Sequence, residues 1–320
     1  MQQVQRQSLT GQAGQRRMAD QVARSIFFVC ALLLVLVIAG IFFFVGQNAL
    51  RLFFEKGGAT LAGFFGRTTW DPAGVNNDAG TPMYGAAGLI LGSVVITFFS
   101  VLIATPLSLA VALFFNEVAP IWLVRIFQPL LEIFVGMPSV VIGFLGLVIL
   151  VPFLQKLTSP FTHNPAGGFG WGAAILVLVV MIMPTISSIS IDALRAVPDS
   201  VREASLALGS TRWQMMYRAI LPAALPMLAT AVIFGMARAI GETLAVAMVL
   251  GGSDSLPSPL LSLQAFFQPN ANITQTILNE FQETLGVERD AYWMLAFVLL
   301  VISFLFVAFS RYLSGRKVYK

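Results

Sequence analysis

The chain is 320 residues long, 57% hydrophobic and 11% charged, with a formal net charge of +4. Several uncharged runs reach the ~20 residues that a helix needs to cross ~30 Å of hydrocarbon, which excludes an ordinary water-soluble domain and predicts an all-α polytopic membrane protein. A nucleic-acid face is also argued against, since the basic residues sit where membrane insertion wants them rather than in a stripe interleaved with aromatics.

In chain order, residues 1–24 form a polar tail. The first uncharged run, Ser25 to Gly46, is too long for the apolar region of a secretory signal and precedes no cleavage pattern, so it is expected to remain as a first span over about 25–46. Cys30 lies inside it and is the only cysteine, so no intrachain disulfide can form. The connection over about 47–84 is turn-rich, with Trp70-Asp71-Pro72, Asn76-Asn77 and Gly80, and suits an ordered loop better than a strand or helix. Gly85 to Phe115 is uncharged and longer than one crossing requires; a short interfacial helix or a strong tilt is expected before a second span of about 88–115.

A third span is expected from Glu132 to about 154 and a fourth over 171–191. His163, the single histidine, sits between them beside Asn164 and Pro165 and reads as a solvated loop residue without a metal cluster. Gly88 with Gly92, and Gly143 with Gly146, read as close-packing sites in apolar helices. The fifth span covers about 222–250 and the sixth 292–309. The connection between them, about 252–290, carries Pro257, Pro259 and Pro269, then Glu280, Glu283, Glu288 and Asp290. Ile277, Leu278, Phe281 and Leu285 have helical spacing there and predict a short amphipathic outer helix, which either shields the helix ends or docks an external partner.

Six crossings place both termini on one side. Arg6, Arg16, Arg17 and Arg24, then Arg125, Arg195, Arg202, Arg212 and Arg218, then Arg311, Arg316, Lys317 and Lys320 fall on that side. The opposite side holds only Arg51, Lys56, Arg67, Lys156 and Arg289, so the positive-inside rule makes both termini cytoplasmic.

The connection between spans four and five is itself patterned as a helix over about 198–209. Pro198 suits a first helical turn, and Asp199 and Glu203 place acid near its positive end. Val201, Ala204, Ser205 and Leu208 recur on one face, and Gly209 is placed to end the helix in the left-handed conformation. Such a helix either lies in the lipid interface, with Arg212 and Trp213 nearby, or docks a partner.

Resemblance favours docking. Glu203-Ala204-Ser205, three residues, Gly209, nine residues, then Ala219-Ile220-Leu221-Pro222 is similar to the E-A-A-x3-G-x9-I-x-L-P motif of the membrane-spanning subunits of bacterial ABC importers. It departs at Ser205, where the motif prefers Ala, and at Ala219, where it prefers Ile. Arg238-Ala239-Ile240-Gly241-Glu242-Thr243-Leu244-Ala245-Val246 resembles the R-A-x-G-E-T-[ML]-A-V signature of phosphate-importer permeases. Leu131-Glu132 with Gly136-Met137-Pro138-Ser139-Val140 resembles that family's E-x3-[AG]-x-P-S-[IV] segment, and Thr69-Trp70-Asp71-Pro72 with Tyr84-Gly85 resembles the C-type subunit (PstC type) more than the A type.

The resemblance implies a type I ABC importer permease fold in a bacterial inner membrane. Its coupling helix, with Glu203, Ala204, Ser205, Leu208 and Gly209, would seat in a separate ATPase. It further implies a related permease (PstA type), a cytoplasmic ATPase dimer (PstB type) holding ATP and Mg, an external phosphate-binding protein (PstS type) and surrounding lipid. No G-x-x-x-x-G-K-[ST] loop or G-x-S-x-G turn occurs in this chain, so ATP would have to be bound by another chain.

Arg238 and Glu242 stand out without any resemblance. Each charge at mid-bilayer costs at least ~2.5–3.5 kcal/mol on insertion scales, so two on one helix point to function. At i and i+4 they can pair, although Arg before Glu is the weaker order. The Arg fork suits phosphate oxygens, and Glu242 could hold or reclaim it; a structural ion pair is the competing reading. Glu132 reads either as a helix-start acid or as part of the path, and Pro138 and Pro184 either as packing kinks or, on resemblance, as path-lining in the case of Pro138 and Ser139. Thr243 joins this expected path through the signature. Three functions remain: a phosphate permease, a permease for sulfate or molybdate, and an intramembrane enzyme using Glu132 and Glu242 as acid and base.

Overall fold

The computed structural model describes residues 2–54, 59–75, 80–159, 167–253 and 263–314, with side chains from 20 to 312 within those ranges. Asn76-Asn77, His163-Asn164-Pro165, Pro257, Pro259 and the basic residues Lys56, Arg316, Lys317 and Lys320 lie outside them.

Among the described residues six helices are long and apolar enough to cross a membrane, over 20–54, 87–118, 139–158, 171–195, 212–240 and 287–312. The first lies in α1 (Gln2–Phe54), which runs unbroken through the expected tail boundary at 24/25. It packs along the final helix, where Gly46 brings the chain against the Phe297 ring and Phe44 meets Trp293 edge to face. The apolar window of α1 is 0% buried, against 67% for the fourth span, so one faces outward and the other is the hub of the bundle.

The outer connection is more structured than its turn-rich composition suggests. It contains α2 (Leu61–Gly66), whose Gly63 N donates to Thr60 Oγ1 at 3.1 Å, and a strand pair β1 (Trp70–Asp71) and β2 (Met83–Tyr84) with Trp70 opposite Tyr84. The reason is tertiary: Trp70 is 3% exposed between Phe64 and Tyr292, and burying its backbone requires that the peptide groups be paired. Beside it, burial and the Glu288 carboxylate hold the Tyr84 phenol above its ordinary pKa.

The second span needs no interfacial helix before it. Its α3 (Ala87–Leu113) starts directly after β2, and the surplus length continues through a π turn, Phe114–Val118. The expected third span, 132–154, is instead divided. Helix α4 (Ile121–Gly136) stops at Met137-Pro138, then α5 (Ser139–Leu145), a π turn (Gly146–Leu150) and α6 (Val151–Thr158) follow. Proline disfavours helical backbone in the residue before it, and Met137 is accordingly extended at φ −68 and ψ 133.

The fourth span, α7 (Trp171–Arg195), carries Pro184 without interruption. Two short helices follow: α8 (Asp199–Ala207), and α9 (Arg212–Met215) with a Thr211/Gln214 capping box. A π turn (Met216–Ile220) then leads into α10 (Leu221–Ile240). The expected 222–250 span is also divided, because α10 ends at Gly241 and α11 (Leu244–Leu250) begins anew. A 3-10 turn (Leu263–Phe267), α12 (Ile273–Glu280) and α13 (Val287–Ser314) complete the chain.

Close approach holds the bundle together, as expected where lipid removes the hydrophobic drive between helices. A Cβ on Gly235 would fall 2.4 Å from Ile186 Cγ1, one on Gly143 2.5 Å from Ala245 Cα, and one on Gly92 2.8 Å from the Ala271 carbonyl. Ser100 Oγ donates to the Ile175 carbonyl and Ser108 Oγ to the Met183 carbonyl, tying α3 to α7. The amphipathic outer helix exists as α12, but it is not a surface element. Ile273, Thr274, Gln275 and Thr276 are buried, Ile273 N donates to Ser93 Oγ at 3.1 Å, and Gln275 Nε2 to the Ala247 carbonyl at 3.2 Å. Leu278 and Leu285 remain exposed.

Candidate functional site

Two interrupted helices lie side by side, and Arg238 joins them. From the last turn of α10 its Nη1 donates to the Val135 carbonyl at 3.2 Å and to Thr185 Oγ1 at 2.9 Å. Val135 precedes the α4/α5 break, so its carbonyl is among the last four of α4 that have no partner within the helix. Arg238 supplies that partner, at the negative end of the helix dipole. Beyond the breaks α5 and α11 pack together at Gly143 and Ala245. Broken helices at membrane depth are tolerated where they are buried in protein or line a cavity, and half-helix ends are common ion sites.

Arg238 and Glu242 do not pair. The i, i+4 relation requires a continuous helix, and Gly241 ends it. The Glu242 carboxylate turns the other way: its Oε1 accepts from Ala245 N at 3.1 Å and satisfies a free donor at the start of α11. Glu242 also lines a separate cavity of about 10 Å³ with Ser93, Thr97, Asn272 and Thr274. The ion-pair reading is thereby overturned for this conformation. Among the described residues no carboxylate meets Arg238, and its Nε and Nη2 have no hydrogen-bond acceptor.

The remaining expected path residues separate into two places. Pro138, exposed, and Ser139, half-buried, form the start of α5 at the break itself. Thr243, half-buried, is the residue before α11, and its carbonyl accepts from Ala247 N at 3.0 Å. Glu132 lies elsewhere, exposed in the C-terminal half of α4 rather than at a helix start, which removes the dipole argument for it. It lines a cleft of about 520 Å³ with Arg125, Gln128 and Arg195, and Arg195 Nη2 donates to Gln128 Oε1 at 2.9 Å.

The helix between spans four and five forms with the expected ends. Pro198 caps α8 and Gly209 takes φ +80 after it. Glu203 and Ala204 are exposed, and Leu208 is 89% exposed. The departure at Ser205 has a structural use, because its Oγ meets Ser210 Oγ at 2.8 Å and its carbonyl accepts from Ser210 at 2.7 Å, closing the turn after α8. Leu206, 44% exposed, adds to the apolar outer face and carried no helical-spacing signal.

Thr185 and the Val135 carbonyl were not legible as site groups. Thr185 is a lone hydroxyl in an apolar run next to Pro184, and nothing in its spacing links it to a residue 53 positions away.

Residues 104–319 match the family described as binding-protein-dependent transport system inner membrane component. The probable ABC transporter permease protein YqgH of Bacillus subtilis (strain 168) is 43% identical over 306 residues, 95% of this chain and 94% of that protein. The phosphate transport system permease protein PstC of Xylella fastidiosa (strain 9a5c) is 35% identical over 262 residues, 78% of this chain and 77% of that one. Among solved structures, a chain of a bacterial ABC transporter involved in alginate import aligns with TM-score 0.59 at 16% identity, covering 95% of this chain and 100% of its own. A chain of the MetNI methionine ABC transporter aligns with TM-score 0.51 at 21% identity, covering 70% and 94%. At these identities the structural likeness is one of fold.

Proposed function

Because the chain belongs to the binding-protein-dependent transport system inner membrane components, we propose that it moves inorganic phosphate inward by alternating access. It is a multi-pass permease subunit of an ABC importer, with the type I permease fold, in the bacterial inner membrane. The proposal adds the anion, the energy source and the assembly: a PstA-type permease, a PstB-type ATPase dimer that binds ATP and Mg, a PstS-type external binding protein, and both termini in the cytoplasm.

One observation carries the anion reading. The Arg238 guanidinium sits between two broken helices, anchored by a hydroxyl and a carbonyl and opposed by no carboxylate among the described residues. Neutral anchors fix its position without cancelling its charge, and three of its five N–H donors remain for a tetrahedral oxyanion. The PstC relatives point to phosphate as that oxyanion. Pro138, Ser139 and Thr243 belong to the path as the backbone that opens beside Arg238. Glu242 acts here by starting α11, which keeps the second break in place.

Glu203, Ala204, Ser205, Leu208 and Gly209 present the ATPase contact, with Leu208 as the exposed apolar knob. Glu132 lines a cleft with Arg125 and Arg195, and on the proposed topology that cleft is the inner mouth where an anion would leave. An acid and base pair of Glu132 and Glu242 loses its support, since the two line different cavities.

The test is uptake into proteoliposomes holding this chain, its partner permease and the ATPase, with loaded binding protein outside. ATP-dependent entry of labelled phosphate is expected, with little competition from sulfate or molybdate. Preferred entry of either of those anions would overturn the phosphate reading and leave the permease reading intact.

A further inference from the structure

Arg202 on α8 uses all of its five N–H groups. Nε and Nη2 donate to Glu117 Oε1 at 3.3 and 3.2 Å, Nη1 donates to the Val197 carbonyl at 2.7 Å and to Asp199 Oδ1 at 3.1 Å, and Nη2 also reaches the Leu194 carbonyl at 3.0 Å. The acceptors come from three elements. Glu117 lies in the π turn that closes α3, Leu194 in the last turn of α7, and Val197 and Asp199 at the entry to α8.

The π turn is what brings Glu117 into place. One extra residue in the helical ladder turns whatever follows by roughly 100°, so Glu117 leaves the face that a regular continuation of α3 would have given it. Asn116 Nδ2 donates to the same Oε1 at 2.6 Å and holds the carboxylate there. The Arg202 and Glu117 side chains are only 18% and 10% exposed, so salt screens their attraction weakly. The Leu194 carbonyl also accepts from Val197 N at 3.3 Å, so Arg202 adds a second, charged donor at the end of α7 and supplies one to the Val197 carbonyl.

We propose that Arg202 is a positioning residue for energy coupling: a strut that makes α8 move as one body with the inner ends of α3 and α7. A displacement imposed on the exposed face of α8 then reaches two spans together, one of them the hub that carries Thr185. The inference rests on the proposed coupling of this permease to an ATPase. A lysine cannot replace the arginine, because one ammonium point cannot span acceptors on three elements.

The test compares wild type, Arg202→Lys and Glu117→Gln in the assembled transporter in proteoliposomes. ATP hydrolysis, anion moved per ATP, and amide hydrogen exchange over 114–118 and 199–207 are measured with and without nucleotide. Both variants are expected to assemble and hydrolyse ATP near the wild-type rate. Phosphate moved per ATP falls by about fivefold in Arg202→Lys and about twofold in Glu117→Gln. Nucleotide changes exchange in both segments of the wild type, and in 199–207 alone in Arg202→Lys.

An unchanged ratio, an unaltered response over 114–118, or failure of both variants to assemble would overturn the strut; in the last case the cluster is a folding contact. A wild-type complex that hydrolyses ATP but moves no phosphate defeats the proposed substrate instead, and the exchange measurement still judges the strut.

Discussion

Arg202 lies on the helix α8 between spans four and five and Arg238 in the last turn of α10, and their surroundings differ in kind. Arg202 is saturated: three elements and two carboxylates take up its donors. Arg238 gives two hydrogen bonds to neutral acceptors and meets no carboxylate among the described residues. A guanidinium neutralised in place is a joint, since moving it breaks several charge-assisted bonds at once. One positioned by neutral groups keeps its field for an incoming anion. In the proposed transporter, two chemically identical side chains would divide between transmitting force and attracting cargo.

The largest way to break this contrast is to remove the free charge. Arg238→Gln is expected to lower phosphate uptake by roughly 10- to 100-fold, the range of a lost hydrogen bond to a charged group, while co-purification with the ATPase persists. Uptake at the wild-type rate by a normally assembled variant would end the anion-path role.

Next, Arg238 can be made to resemble Arg202. Thr185→Asp places a carboxylate where the hydroxyl now accepts from Nη1, and uptake is expected to fall by roughly tenfold because the side chain is then occupied. Kinetics of labelled phosphate entry check this, and a gain in uptake would contradict it. Thr185→Val asks the smaller question of whether the neutral anchor matters. It leaves the charge and removes one bond, so the apparent KM for phosphate is expected to rise about threefold with kcat nearly unchanged.

The smallest effect concerns Glu242. If its work is to start α11, Glu242→Ala is expected to cost about 1 kcal/mol in thermal or denaturant unfolding, and Glu242→Gln, which keeps an acceptor for Ala245 N, to recover most of it. Equal losses in both variants would show that the negative charge, and not the cap, is what matters.

The fold was largely legible. Uncharged runs locate six crossings because a helix must satisfy its own backbone in lipid, and Pro198 and Gly209 mark the ends of α8 because one fixes φ and the other reaches φ +80 freely. Gly143 read correctly as a close-packing position. The strand pair at Trp70 did not, since two-residue strands leave no periodicity and form here to bury an aromatic ring. The divisions at Met137-Pro138 and at Gly241 were also missed. Apolar runs flank both; Pro138 read only as a kink, and the stop at Gly241 shows only in the partners around it.

The candidate site was legible in its members but not in its arrangement. Arg238 and Glu242 are conspicuous as charges in an apolar run, yet their i, i+4 spacing suggested a pair that Gly241 prevents. Arg202 looked like one more inward-side positive charge until Glu117, 85 residues away, came into contact with it.

By itself the sequence determined what is local: which stretches are apolar enough to cross, which side holds the basic residues, and where a short helix must begin and end. Tertiary structure alone decided which charges are joined and which are left free. A hydrogen bond spans about 3 Å of space whatever its separation along the chain, so Thr185 and the Val135 carbonyl, 53 and 103 residues from Arg238, leave no trace in the spacing of residues around it.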